Sequence, residues 1–254
     1  MRPVNAFSQS AKAIAVLPLG ATEQHGPHLP ADTDWIIAEG IADKAKKALP
    51  PHLDIHFLPV EKVGYSIEHT DFPQTLSRPF DEAVERWIGI GEAQDKAGVH
   101  KFVILNAHGG NASLMTIVTT ELRARFGMLA AATSWTRFGY PADLVSEDER
   151  ALGVHGGFIE TSVMLALRPD LVAMDKAANF ASAQERFRRD FTHLRAYGPH
   201  AFGWMMSDLS PHGVAGNAAA ASAEAGRRII DHAVAGFIEF LVDVDRFDLA
   251  HFAR

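Results

Sequence analysis

With 254 residues, 47% of them hydrophobic, the chain can bury one large core, and a single domain over residues 1–254 is expected. A formal charge of −7, from 24 basic and 31 acidic residues, gives no electrostatic reason to expect nucleic acid or an anionic membrane as partner. The absence of cysteine excludes disulfides, thiol nucleophiles and thiolate metal sites.

Met1 to Ser8 lack the continuous apolar core of a signal peptide, and no apolar run nears the ~20 residues of a membrane span, so a cytoplasmic protein is expected. No internal repeat or polar linker interrupts the chain. Ala13 to Leu19 reads as a buried strand, and Asp34 to Leu49 as a helix with Ile36, Ile37, Ile41 and Ala45 near helical spacing. A second strand is expected over Asp54 to Val60. Pro79 opens a helix at a position where its missing N–H costs nothing, and that helix runs to about Ala97. Lys101 to Asn106 has four apolar residues in a row, as in a strand covered on both faces. A helix from about Asn111 to Phe126, a strand from Met128 to Trp135, a short helix from Phe158 to Leu167 and a last helix from about Ala221 to Val244 follow. This alternation predicts an α/β sandwich on a mainly parallel sheet. Arg137 to Gly153 and Pro169 to Gly216 are less regular and are candidate lids or subunit contacts.

The densest chemistry lies between Gly20 and Asp34, where Glu23, His25, His28, Asp32 and Asp34 crowd one loop after the first strand. Carboxylates and imidazoles so gathered are costly unless a positive charge sits among them. A divalent cation is the simplest answer, and oxygen and nitrogen donors without thiolate suit zinc, manganese or iron(II). Ligands in open α/β sheets bind beyond the carboxyl ends of the strands. The third strand also ends in polar residues, Asn106-Ala-His108-Gly-Gly-Asn111, so His108 is expected to meet Glu23 and His25 at one rim. Taken singly, Asp34 reads equally as a helix cap and His25 as a loop histidine; together with His108 they favour a metal site. His28 and Asp32 read as groups that fix the loop. In His155-Gly-Gly-Phe-Ile-Glu160-Thr-Ser162 two glycines let the backbone turn near a ligand, although Glu160 alone is explained by the helix dipole and His155 alone as a loop residue. The lack of a Gly-x-Ser-x-Gly elbow argues against a serine hydrolase. A phosphate-cradling turn at residues 106–111 lacks the P-loop lysine and a third glycine.

Glu23-Gln-His-Gly-Pro-His-Leu-Pro30 with Asp34, then Asn106-Ala-His-Gly-Gly-Asn111, then His155-Gly-Gly-x-x-Glu160-Thr-Ser162, resembles the creatininase family, creatinine amidohydrolase and its relatives. The likeness extends to Gly64–His69 and Phe72–Ser77 and covers most of the chain from about Ala13 to Gly226. It implies a three-layer α/β/α sandwich, commonly assembled as a homohexamer, that hydrolyses C–N bonds of small, in some cases cyclic, amides with two divalent metal ions per subunit (Zn, Mn or Fe). By motif position Glu23, His25, Asp34 and His108 would be ligands, with Asp34 shared. Creatininase carries a ligating Glu two residues after the strand-end His, where this chain has Gly110; Glu160 is the candidate for that coordination place. Val154 stands where creatininase has an acid and Gln74 where relatives often have Gly, which weakens creatinine as the substrate. Other branches of the family deformylate a pyrimidine nucleotide precursor or trim a peptide, and a metal-binding subunit without turnover is the alternative outside enzymes.

In the implied mechanism a metal-bound water attacks the amide and His155 delivers a proton to the leaving nitrogen. Ser66, Glu68, His69 and Asn111 are candidate substrate contacts and Trp135 a candidate apolar wall, each with an equal reading in turns, caps or packing.

Overall fold

The computed structural model describes residues 12–252, so the signal-peptide expectation on Met1 to Ser8 lies outside the described residues. Its centre is a parallel sheet in the order β2–β1–β3–β4, with β1 Ile14–Leu19, β2 Ile55–Phe57, β3 Lys101–Asn106 and β4 Leu129–Ser134. Every residue of β1 and β3 is buried, as their apolar runs predict. Alternation sends their side chains to opposite faces. Ile14, Val16, Val103 and Leu105 join one core with α1 (Thr33–Ala48), α5 (Phe158–Leu167) and α8 (Ala223–Arg246). Ala15, Leu17, Phe102 and Ile104 join the other, with α2 (Phe80–Lys96) and α3 (Ala112–Phe126). The result is helices on both faces of a parallel sheet.

β2 is shorter than the expected Asp54 to Val60. Leu58 N–H reaches the Val16 carbonyl, but Pro18 has no N–H to return to the Leu58 carbonyl, so regular pairing stops there and the edge resumes only at the Leu19–Glu61 bridge, where Glu61 N–H reaches the Pro18 carbonyl. The two irregular segments hold short elements that carry no sequence periodicity: α4 (Glu147–Leu152), β5 (Asn179–Phe180), α6 (Gln184–Asp190), α7 (Met206–Leu209) and β6 (Gly216–Asn217), with β5 and β6 paired antiparallel. Among the described residues no helix is long and apolar enough to cross a membrane.

The register decides where the chemistry sits. Leu19 pairs with Asn106 and Asn106 with Ser134, so the loops after β1, β3 and β4 emerge side by side. α5 is pressed against the first turn of α8, where Ser222 Oγ caps the helix by accepting from Ala225 N–H. A Cβ at Gly226 would fall inside the Ser162 carbonyl. We expect Gly226→Ala to destabilise the fold by about 1–3 kcal/mol, several degrees in a calorimetric melting scan. An unchanged melting temperature would refute this close crossing.

Candidate metal centre

Glu23, His25, Asp34 and His108 are 0%, 1%, 1% and 4% exposed, a depth at which charged groups require partners. They come from the loop after β1, the first turn of α1 and the loop after β3. Asp34 does not cap its helix: the N-cap is Asp32, and the Asp34 carboxylate points into the cluster. His108 Nδ1 lies 3.1 Å from Glu23 Oε1 and 3.2 Å from Asp34 Oδ2. His25 Nε2 lies 3.3 Å from Asp34 Oδ1 and 3.8 Å from Glu160 Oε2. His155 Nδ1 lies 3.7 Å from Glu23 Oε1.

A backbone carbonyl orients each of these rings. A carbonyl can only accept, so the nitrogen facing it carries the proton and the other is left with its lone pair. His25 Nδ1–H donates to the Glu23 carbonyl at 3.0 Å, His108 Nε2–H to the Tyr65 carbonyl at 2.9 Å and His155 Nε2–H to the Gln24 carbonyl at 2.8 Å. Three lone pairs therefore face carboxylate oxygens. That arrangement is repulsive unless a proton or a cation lies between. Both oxygens of Glu23, Asp34 Oδ2 and His25 Nε2 are buried without a hydrogen-bond partner. Ligand-capable atoms within 4.8 Å of one another form three overlapping groups: Glu23/Asp34/His108, His25/Asp34/Glu160 and Glu23/His25/His155. Asp34 belongs to two of them. The orphaned atoms and the all-nitrogen-and-oxygen donor set fit Zn, Mn or Fe(II).

The electrostatics of the metal-free cluster agree. Burial pushes Glu23 upward against the opposing pull of His108. Burial alone would lower His25, but the carboxylates of Asp34, Glu160 and Glu23 more than offset it and hold the ring at about 9. Asp34 is held well below the carboxylate range, because His25 and His108 outweigh its burial. His155 is driven well below the usual histidine value, by burial first and then by positive charge at His25. Against its burial, Glu23 and Asp34 raise His108 well above the usual histidine value, so a cation entering this cluster must displace the protons held on His25 and His108, which lower pH restores. Metal affinity is therefore expected to rise with pH up to about 9, by roughly tenfold per unit for each proton that a cation displaces. Calorimetric Zn²⁺ or Mn²⁺ titrations at about pH 6 and 8, with proton release read alongside, test this; equal affinities would contradict it.

Glu160 sits in the first turn of α5, where Oε2 accepts from Gly156 N–H at 2.6 Å. His28 ties the loop to that helix through Gly156 O at 3.1 Å and Thr161 Oγ1 at 2.9 Å, and Asp32 accepts from Trp35 Nε1. The structure places the remaining sequence candidates unequally. His69 accepts from Gln24 Nε2 at Nδ1, leaving Nε2–H 3.5 Å from Glu23 Oε1. Ser66 Oγ lies 3.2 Å from His108 Nε2, and Glu68 Oε1 3.5 Å from it. The Glu68 carboxylate also occupies the space a Cβ at Gly110 would need, so the glycine and this glutamate are a matched pair. Asn111 is fully buried behind the loop, where it accepts from Tyr65 N–H and donates to Gly20 O and Asn106 Oδ1. Trp135 is 2% exposed and borders a recess beside His108 and Glu160.

A cavity of about 700 Å³ opens over the cluster, walled by Glu23, Asp34, His108 and Glu160 below and by Tyr197 and Trp204 above. Tyr197 and Trp204 were not legible as site residues, since an aromatic in an irregular segment has no periodicity to assign it a face. The Gln24 and Tyr65 carbonyls were hidden for another reason, as any residue can supply a carbonyl.

The family model for creatinine amidohydrolase matches residues 3–241. The mycofactocin precursor peptide peptidase of Mycolicibacterium smegmatis is 32% identical over 228 residues, covering 88% of this chain and 82% of its own. A 2-amino-5-formylamino-6-ribosylaminopyrimidin-4(3H)-one 5'-monophosphate deformylase of Methanococcus maripaludis is 29% identical over 162 residues, 57% of this chain and 66% of its own. Among solved structures, creatininase in its Mn form superposes with a TM-score of 0.74 at 22% identity, covering 93% of this chain and 92% of that one.

Proposed function

Since the chain belongs to the creatininase family, we propose that it is a metal-dependent amidohydrolase that cleaves a C–N bond of a small amide with metal-activated water. The observation that carries this reading is the buried cluster of Glu23, His25, Asp34 and His108, whose lone pairs converge without hydrogen-bond partners. In this proposal Glu23, Asp34 and His108 hold one Zn, Mn or Fe ion. His25, Asp34 and Glu160 hold a second, with Asp34 common to both. When bound, the ions supply a water acidic enough to ionise near neutral pH and positive charge for the substrate carbonyl.

The side chains do the rest. His155 keeps its Nε2 proton on the Gln24 carbonyl, so Nδ1 is the free base that takes a proton and hands it to the leaving nitrogen. Its lowered pKa keeps the ring neutral before the reaction. Glu160 accepts from Gly156 N–H, which aims its carboxylate toward His25. Ser66, Glu68 and His69 offer polar contacts on one side of the substrate, and Trp135 an apolar wall on the other. Asn111 supports them by holding the Gly20 and Tyr65 backbone in place.

Metal analysis with an assay of ammonia, formate, amine release and creatinine ring opening on a panel of small amides, formamides and short peptides tests the proposal. Formate release would assign a deformylase and amine release from peptides a trimming enzyme. Metal held with no turnover would mark a binding subunit. Glu160→Gln is expected to lose one of two equivalents of metal and about 10²-fold or more in turnover; full metal content and activity would defeat its role as ligand. A cytoplasmic homohexamer is part of the same proposal, and light scattering would reveal the mass of six chains.

A further inference from the structure

Beside the cavity over the cluster lies a second recess of about 480 Å³, reached past His108 and Glu160 and bounded by the ends of β3 and β4 and by α4. Its outer wall carries Arg137 and Arg150. Six of the described arginines pair with carboxylates, Arg86, Arg125, Arg168, Arg188, Arg189 and Arg228, whereas others, such as Arg78, Arg123 and Arg195, bind backbone carbonyls. The Arg137 guanidinium has no hydrogen bond or ion pair among the described residues. Arg150 has only the Val145 carbonyl, 3.3 Å from Nε, and the face of Tyr140, 5.6 Å from its guanidinium. Two guanidinium groups without an ion-pair partner thus share the wall of one recess that also touches His108 and Glu160. Among the described residues that line the recess, Glu160 is the one carboxylate, and it faces His25. Tyr140 and Tyr197 border the same space with their phenol rings.

We propose that the recess between Arg137 and Arg150 is a subsite for an oxyanion, a carboxylate or a phosphate, carried by the amide substrate beside its scissile bond. This assignment rests on the hydrolase reading above and adds the substrate class to it. A guanidinium offers paired N–H donors that match either oxyanion, and no ion pair occupies those of Arg137 or Arg150. The neutral Val154 on the same wall adds no opposing charge.

Two matched pairs test the subsite on metal-replete protein: N-formylglycine against N-formylglycinamide, and N-formylethanolamine phosphate against N-formylethanolamine. The charged member of one pair is expected to be preferred in kcat/KM by about tenfold or more, the worth of one charge-assisted hydrogen bond. The pair that shows it identifies carboxylate or phosphate. Arg137→Ala/Arg150→Ala should bring that ratio close to one, whereas Arg137→Lys/Arg150→Lys should keep a measurable part of it. Equal handling within both pairs by the natural protein, or a preference that survives the double alanine variant, overturns the subsite. Should none of the four compounds be turned over, the formamide branch of the hydrolase reading fails. Calorimetric dissociation constants for the same pairs and variants then decide the subsite by the same ratios.

Discussion

His108→Ala is expected to lose its bound metal and about 10³-fold or more of its turnover. The imidazole contributes the one nitrogen that stands between Glu23 Oε1 and Asp34 Oδ2. Without it two buried carboxylates face each other with a ligand missing, and the loss spreads through Asp34 to the His25 side, because that carboxylate is shared. The Tyr65 carbonyl would also be deprived of its donor, so the loop carrying Ser66 and Glu68 would loosen. Metal content by plasma mass spectrometry and kcat/KM on the best amide are the two readouts. A variant that keeps a full complement of metal would sink the ligand role of His108.

His155→Ala is expected to behave in the opposite way: metal retained, turnover lowered by about 10²–10⁴-fold, the range for a lost acid–base group. His155 Nδ1 is farther from Glu23 than His108 Nδ1 is, 3.7 against 3.1 Å, and its orientation comes from the Gln24 carbonyl. Its ring stacks obliquely between His25 and His69, with centroids 4.1 and 4.2 Å away, so removal leaves a small gap rather than an unpaired charge. The limb of the pH–rate profile that belongs to this ring should vanish in the variant. Should both substitutions strip metal equally, His155 would have to be counted with the ligands, in the Glu23/His25/His155 group, and the division of roles would be wrong.

Much of the fold was legible. β1 and β3 were readable to within a residue because a strand covered on both faces needs an unbroken apolar run. The long helices were readable from their apolar faces and end signals. β2 was overread because the apolar pattern ignores that Pro18, opposite it in β1, cannot donate to the Leu58 carbonyl. α4, α6 and α7 were invisible: seven residues or fewer in length, they hold only through contacts made by residues distant in sequence. At the centre, the crowding of Glu23, His25 and Asp34 was readable as an unusual density of ligands. Their meeting with His108 followed from where strands end, and the Leu19–Asn106 register brings it about. Glu68 filling the place beside Gly110, and Asn111 serving as a knot between loops, had no local signal.

The sequence by itself determined the chemical character of the cluster: nitrogen and oxygen donors without sulfur, crowded into the loop after one strand and repeated at the end of another. These are properties of residue types, and composition and order state them outright. Tertiary structure alone decided which nitrogen of each imidazole is free and which arginines lack a partner. Both depend on what the fold brings alongside: a carbonyl from Tyr65 or Gln24 chooses the protonated nitrogen, and no carboxylate comes within ion-pair distance of Arg137 or Arg150 on the recess wall.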